Sequence, residues 1–219
     1  MKILGLDPSF SNFGWCILED TQDLFGNISI TKGRFRWKEK TDYTEYDFVD
    51  PFPILEKKLR ELISSVNPDH IGIELPIYGT TYSEGMYALY IQNMRIIKQM
   101  KKNVLTVGNY DTKARVFDYL KLPKKTKVNK SELKLAARKH TGIQKWTSDE
   151  ADAYWIAFLA MRFWKLQTGV LQDSDLDKMD IEQLSCYSLY MKGPKKGTPK
   201  KLGLIHRPKD RYFLWSNQG

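Results

Sequence analysis

The chain has 219 residues, a formal net charge of +9, and 42% hydrophobic and 13% aromatic residues, with a mean hydropathy of −0.50. That is enough apolar material to bury the core of one α/β domain, so wholesale disorder is excluded, and no run approaches the ~18 apolar residues of a membrane span. The first apolar run stops at Asp7, too short for a signal peptide, and Cys16 and Cys186 have no metal-ligand spacing, so the chain reads as a cytoplasmic protein with reduced thiols.

Taken in chain order, KILGL at residues 2–6 is a short apolar run halted by Asp7 and Pro8, which predicts a buried strand. GWCIL at 14–18 and the alternating ISITKGRFRW at 28–37 predict two more, and the short links between them predict an antiparallel opening. Residues 40–52 read as a loop. Pro53 opens a predicted helix to Val66, with Ile54, Leu55, Leu59, Leu62, Ile63 and Val66 spaced for one face. HIGIE at 70–74 is a short buried strand ending in a carboxylate. A long helix over 82–102, a strand over 104–107, helices over 111–120 and 131–140, and a strong helix over 147–166 complete the domain. Strands first, then strands alternating with helices, indicate a mixed sheet. Residues 169–219 form a C-terminal extension, with a helix over 181–191, a mobile stretch over 192–201 and residues 211–215 docking back on the core.

Residues 121–139 carry eight basic side chains against Glu132 alone, and residues 192–211 carry eight against Asp210 alone. A charge run is by itself usually a solvated face. Two such segments on an otherwise acidic body point to a polyanion, most simply nucleic acid. An acidic membrane surface is the lesser option, because neither segment carries a strong apolar face.

Asp7 follows the first strand and Glu74 ends the fourth, both at strand carboxyl ends, where open α/β sheets gather function. Asp149, Glu150 and Asp152 open the last long helix, and Asp149 and Asp152 share a helix face. Each has a plainer reading. Asp7-Pro8-Ser9 suits a turn, and Thr147 with Glu150 fits a capping box. An acid directly after the alternating residues of HIGIE has less excuse. Together, Asp7, Glu74, Asp149 and Asp152 form a candidate four-carboxylate cluster whose mutual repulsion a hard divalent cation would relieve. Two Mg²⁺ ions would suit phosphodiester hydrolysis.

Four stretches then resemble the RuvC family of Holliday-junction resolvases. ILGLDPSFSNFG at 3–14 resembles its opening strand and first catalytic Asp; IGIE at 71–74 resembles its second motif. Lys130-Ser131 resembles its lysine-led helix, and SDEADA at 148–153 resembles its closing D-x-x-D-A motif. The match spans residues 1–168. The resemblance implies an RNase H-like five-stranded mixed sheet flanked by helices, with the first three strands antiparallel. It implies Asp7, Glu74, Asp149 and Asp152 as ligands of two Mg²⁺ or Mn²⁺ ions, and Lys130 beside the scissile phosphate. It also implies symmetric nicking of four-way or other branched DNA by a homodimer joined through the 82–102 helix. That helix is apolar on more than one face, with Met86, Leu89, Ile91, Met94 and Ile97 among its members, so one face could meet a partner; full burial is the plainer reading.

The departures are Ser9 for the usual Gly, and Ile77 followed by Tyr78 where an aromatic commonly stacks at the junction centre. The family's second active-site lysine has no clear counterpart; Lys121, Lys124, Lys125 and Lys127 are candidates. DNA contacts are expected from Ile77, Tyr78, Lys124, Lys125, Lys127 and Lys130, and from Lys195, Lys196, Lys200 and Lys201 in the extension. An added basic tail resembles bacteriophage-encoded members, which act in the host cytoplasm. RNA:DNA hybrid cleavage, branched-DNA binding without catalysis, and a sugar-kinase or actin-like ATPase are the alternatives. The last lacks a later Gly-rich phosphate loop, so no nucleotide cofactor is expected. His70, His140 and His206 lack metal-site spacing and read as structural, and Cys16 reads as core.

Overall fold

The computed structural model describes residues 1–9, 12–20, 28–35, 51–76, 83–171, 187–189, 193–194, 199–201 and 214–215. The main sheet contains β1 (Lys2–Asp7), β2 (Phe13–Asp20), β3 (Ile28–Phe35), β4 (His70–Leu75) and β5 (Asn103–Gly108). Strands β1, β2 and β3 pair antiparallel, and β4 and β5 run parallel to β1. This is the expected five-stranded mixed sheet. Leu214–Trp215 adds a short antiparallel strand to the free edge of β5, in the segment expected to dock on the core.

Helices cover both faces. One core holds Leu4, Leu6, Phe13, Ile71 and Ile73 with residues of α1 (Pro51–Val66) and α2 (Ser83–Gln99). The other holds Ile3, Cys16, Leu18, Leu105 and Val107 with residues of α4 (Lys130–Thr141) and α5 (Ser148–Gln167), and with Val116 of α3 (Asn109–Tyr119). The division follows from the strand period of two: Ile3, Gly5 and Asp7 face α5, whereas Leu4 and Leu6 face away. Helix α5 lies between the sheet and α3 and α4, which is why Ala151, Trp155, Leu159 and Phe163 are all buried on a helix without a single apolar stripe.

Three glycines let α5 come close. A Cβ on Gly5 would lie 2.7 Å from Ala157 Cβ, one on Gly72 would lie 2.9 Å from Ala160 Cβ, and one on Gly14 would press on the backbone of Asp149. The helix crosses β2, β1 and β4 on this bare strip. Gly5→Ala is therefore expected to destabilise the fold by about 1–3 kcal/mol through overpacking, read as a lower urea midpoint; an unchanged midpoint would mean that α5 does not rest on this strip.

Local signals set the helix ends. Thr147 and Glu150 form the expected capping box at α5, Asn129 and Glu132 form another at α4, and Gly142 closes α4 at φ 75°. Helix α1 begins at Pro51 rather than Pro53. Helix α2 stops at Gln99, short of the expected 102, because Lys101 turns left-handed at φ 54°.

The extension departs further. Where a helix was expected over 181–191, Tyr187–Leu189 is a strand, β6. Where a mobile stretch was expected, Pro199–Lys201 is β7, paired antiparallel with β6. Gly193 at φ 80° and Pro194 lie between them, and such turn formers favour a returning strand over a continued helix. The short edge strand Leu214–Trp215 is β8. No described helix is long and apolar enough to cross a membrane.

Candidate active site

Strands β1 and β4 run side by side in register, Leu6 against Ile73, so Asp7 and Glu74 leave the sheet together at its carboxyl end. Alternation turns both toward α5, because Gly5 and Gly72, two residues earlier, lie under that helix. Gly14 is the ladder partner of Asp7, and Asp149 stands directly over Gly14. The first turn of α5 thus brings Asp149 and Asp152 to the two strand ends.

The electrostatics register this convergence. Asp7 is 9% exposed. Burial first, then the charges of Glu74 and Asp152, a hydrogen bond with Glu74, and the charge of Asp149 hold its carboxyl well above the usual range. Asp152 is pushed up to about 7, by burial first and then by Glu74 and Asp149, against the pull of Lys113 and Lys130. All four expected acids therefore share one electrostatic neighbourhood. Among the described residues, no three acidic, histidine or cysteine side chains are gathered as a ready-made cation cage. The donors are all carboxylate oxygens, the type a hard divalent cation takes, and on Asp7 and Asp152 burial first and then the neighbouring acids raise the proton affinity.

Glu150 is differently engaged. Its carboxylate accepts from Thr147 N at 2.9 Å and from Lys32 Nζ at 3.0 Å. Partial burial raises its pKa, but those hydrogen bonds outweigh it and hold the group below its ordinary range. It caps α5 and ties it to β3.

The sequence reading missed two residues. Strand β5 ends at Gly108 and α3 begins at Asn109 with no loop between. Asn109 Nδ2 donates to Glu74 Oε1. Lys113, four residues on, is the larger of the two cationic influences on Asp152. Residues i and i+4 share a helix face, so α3 presents one neutral donor and one cation to the acids. The only available signal was that spacing, immediately after a strand.

No protein-family model matches the chain, and no curated protein sequence does. Solved structures do. Thermus thermophilus RuvC is similar over 77% of this chain and 97% of its own, at 15% identity and TM-score 0.56. The same protein in complex with Holliday junction substrate gives 13% identity, 77% and 96% coverage and TM-score 0.56. The yeast mitochondrial Holliday junction resolvase Ydc2 gives 18% identity, 79% and 82% coverage and TM-score 0.50. The chain has the RuvC fold.

On this RuvC-like frame the expected DNA-facing residues separate. Lys130 is exposed at the start of α4, near enough to act on Asp152. Lys124, Lys125 and Lys127 are exposed on the link between α3 and α4. Lys200 and Lys201 stand on β7, in a two-stranded sheet apart from the main one. Ile77, Tyr78, Lys195 and Lys196 lie outside the described residues. The histidines described here are structural: His70 stacks on Trp164 at 3.9 Å, and His140 Nδ1 lies 2.5 Å from the Tyr154 hydroxyl. Cys16 is buried, as expected of a core thiol.

Proposed function

We propose that the chain is a divalent-metal-dependent, structure-specific endonuclease that resolves four-way DNA junctions, and related branched DNA, by symmetric phosphodiester hydrolysis. The observation that carries this reading is the convergence of the ends of β1 and β4 with the first turn of α5 at one end of a RuvC-like sheet, where burial first and then the neighbouring acids raise the proton affinity of Asp7 and Asp152. The junction itself enters from a neighbour, the Thermus thermophilus RuvC bound to a Holliday junction substrate.

In this reading the four acids hold Mg²⁺ or Mn²⁺, which supplies an activated water and offsets charge on the leaving oxygen. The protein does the rest. Asp7 is buried, whereas Glu74, Asp149 and Asp152 are half-buried, which leaves the cluster open to a phosphate and a water. Lys113 and Lys130 place positive charge beside Asp152, where they attract the scissile phosphate and counter charge built up during cleavage. Lys124, Lys125 and Lys127 extend this positive rim along the backbone of a DNA arm. Tyr110, 71% exposed in the first turn of α3, offers an aromatic face for base stacking at the same end of the sheet.

The homodimer reading rests on α2, which buries Leu89, Asn93, Ile96 and Ile97 in the core and leaves Ile91 63% exposed. Met86, Tyr90 and Met94 pack against the core, so the outer apolar face is narrower than the sequence pattern implied.

The test is a nicking assay on a labelled four-way junction beside linear duplex and an RNA:DNA hybrid, with Mg²⁺ or EDTA. Paired, Mg²⁺-dependent nicks confined to the junction are expected. Hybrid cleavage without junction cleavage would move the chain to an RNase H-like role, and tight junction binding without cleavage under any metal would make it a binding protein.

A second expectation concerns the tail. If Lys195, Lys196, Lys200 and Lys201 track a DNA arm, changing all four to Ala should lower the slope of log affinity against log salt by about 3 to 4. An unchanged slope would remove the extension from the DNA interface.

A further inference from the structure

We infer that Asn109 is a positioning residue for Glu74, fixing the carboxylate on which a divalent cation would depend. The inference rests on the metal-dependent reading above. Its basis is the contact of Asn109 Nδ2 with Glu74 Oε1 and the rigidity of what carries it. Glu74 and Leu75 pair with Val107 and Gly108 in a parallel ladder, so Asn109 is the next residue beyond the ladder. Helix α3 starts there without a loop, and Gly108 is its N-cap. A Cβ on Gly108 would lie 2.7 Å from Asp111 Oδ2, so the turn is closely packed. Thr112 Oγ1 donates to Asn109 O at 2.9 Å, bracing the first turn. The main chain of Asn109 is thus fixed by the ladder before it and the helical turn after it, and its side-chain amide donates to Glu74 from that fixed point.

The choice of Asn has a chemical reason. An amide N–H donates at every working pH and carries no charge. It can therefore fix one oxygen of Glu74 without neutralising the cluster. A Lys or Arg there would orient Glu74 equally well but would spend the negative charge a cation needs. An Asp would add a fifth carboxylate. Groups that orient metal ligands from behind are typically worth about 10–100-fold in metal affinity or activity.

The test compares full-length wild type with Asn109→Leu, which keeps the size and removes the donor, and Asn109→Gln, which keeps a donor. Mn²⁺ affinity is measured by calorimetry, junction binding in EDTA, and nicking against Mn²⁺ concentration. Asn109→Leu is expected to weaken Mn²⁺ binding and to raise the Mn²⁺ needed for half-maximal nicking, each about 10–100-fold. Junction affinity in EDTA should be unchanged and Asn109→Gln should recover most of the loss. Equal Mn²⁺ affinity in wild type and Asn109→Leu overturns the inference, and so do equal losses in the Leu and Gln variants. If Asn109→Leu does not fold, Asn109→Ala decides by the same Mn²⁺ titration. A wild type that binds Mn²⁺ but nicks no junction would overturn the nuclease reading alone, because calorimetry still judges Asn109.

Discussion

Asp7→Asn is expected to abolish nicking of a four-way junction while leaving junction binding intact. The substitution is nearly isosteric, and the amide N–H can donate toward Glu74. What it removes is the ability to become an anionic oxygen ligand. A bound metal contributes several kcal/mol of charge stabilisation to such reactions, and each 1.36 kcal/mol is a factor of ten in rate. Nicking should therefore fall by at least about a thousandfold in a single-turnover assay. The same change should raise the thermal midpoint of the metal-free protein near neutral pH, because burial and then the neighbouring acids hold the Asp7 carboxyl well above its ordinary range, so that folding must retain a proton there that Asn does not need. Loss of activity with a gain in stability separates a functional carboxylate from a structural one. An Asp7→Asn protein that nicks normally would take the acids out of the chemistry.

Metal-free protein should lose stability as pH rises from about 4 to about 7, and Asp152→Asn should flatten that loss. The sign follows from Asp152, raised in the folded state from 3.8 to about 7. Between those values the folded chain holds a proton that the unfolded chain has released, so stability falls with pH across the window. Below the unfolded value the contribution is complete; above the folded value it is gone. The displacement corresponds to at most about 4 kcal/mol, with Asp7 adding in the same direction. Urea denaturation in EDTA at pH 5 and pH 8 measures it, and adding Mg²⁺ at pH 8 should restore the stability lost. Identical pH dependence in wild type and Asp152→Asn would show that the cluster is not strained as described.

The strands and the carboxylates that follow them were legible because they rest on short-range patterns. KILGL and HIGIE are apolar runs that end in a carboxylate, and parallel pairing of their strands sets Asp7 beside Glu74. Thr147 and Glu150 announce the start of α5 three residues apart, and the observed box confirms it. Asn109 was invisible for a physical reason. Its importance depends on β5 running straight into α3, and element boundaries are what local pattern resolves least. Lys113 carries no local signal either, because an isolated lysine on a helix is ordinarily solvated and only the placement of α3 turns this one toward Asp152. In the extension, a helix was expected over 181–191, but the strand at Tyr187–Leu189 depends on pairing with Pro199–Lys201, a contact ten or more residues away that local pattern does not show.

The bare strip formed by Gly5, Gly14 and Gly72 bears on how the protein is born. A ribosome releases β1 through β5 long before α5, and until α5 emerges one side of the sheet has no covering at that strip. The helix that closes it is also the element carrying Asp149 and Asp152. Sealing of the core and completion of the acidic cluster are therefore one event, late in synthesis. A nascent chain, or one cut short before residue 148, has two of the four acids and lacks the helix that would seal the strip, so no partial product carries the assembled site into the cell.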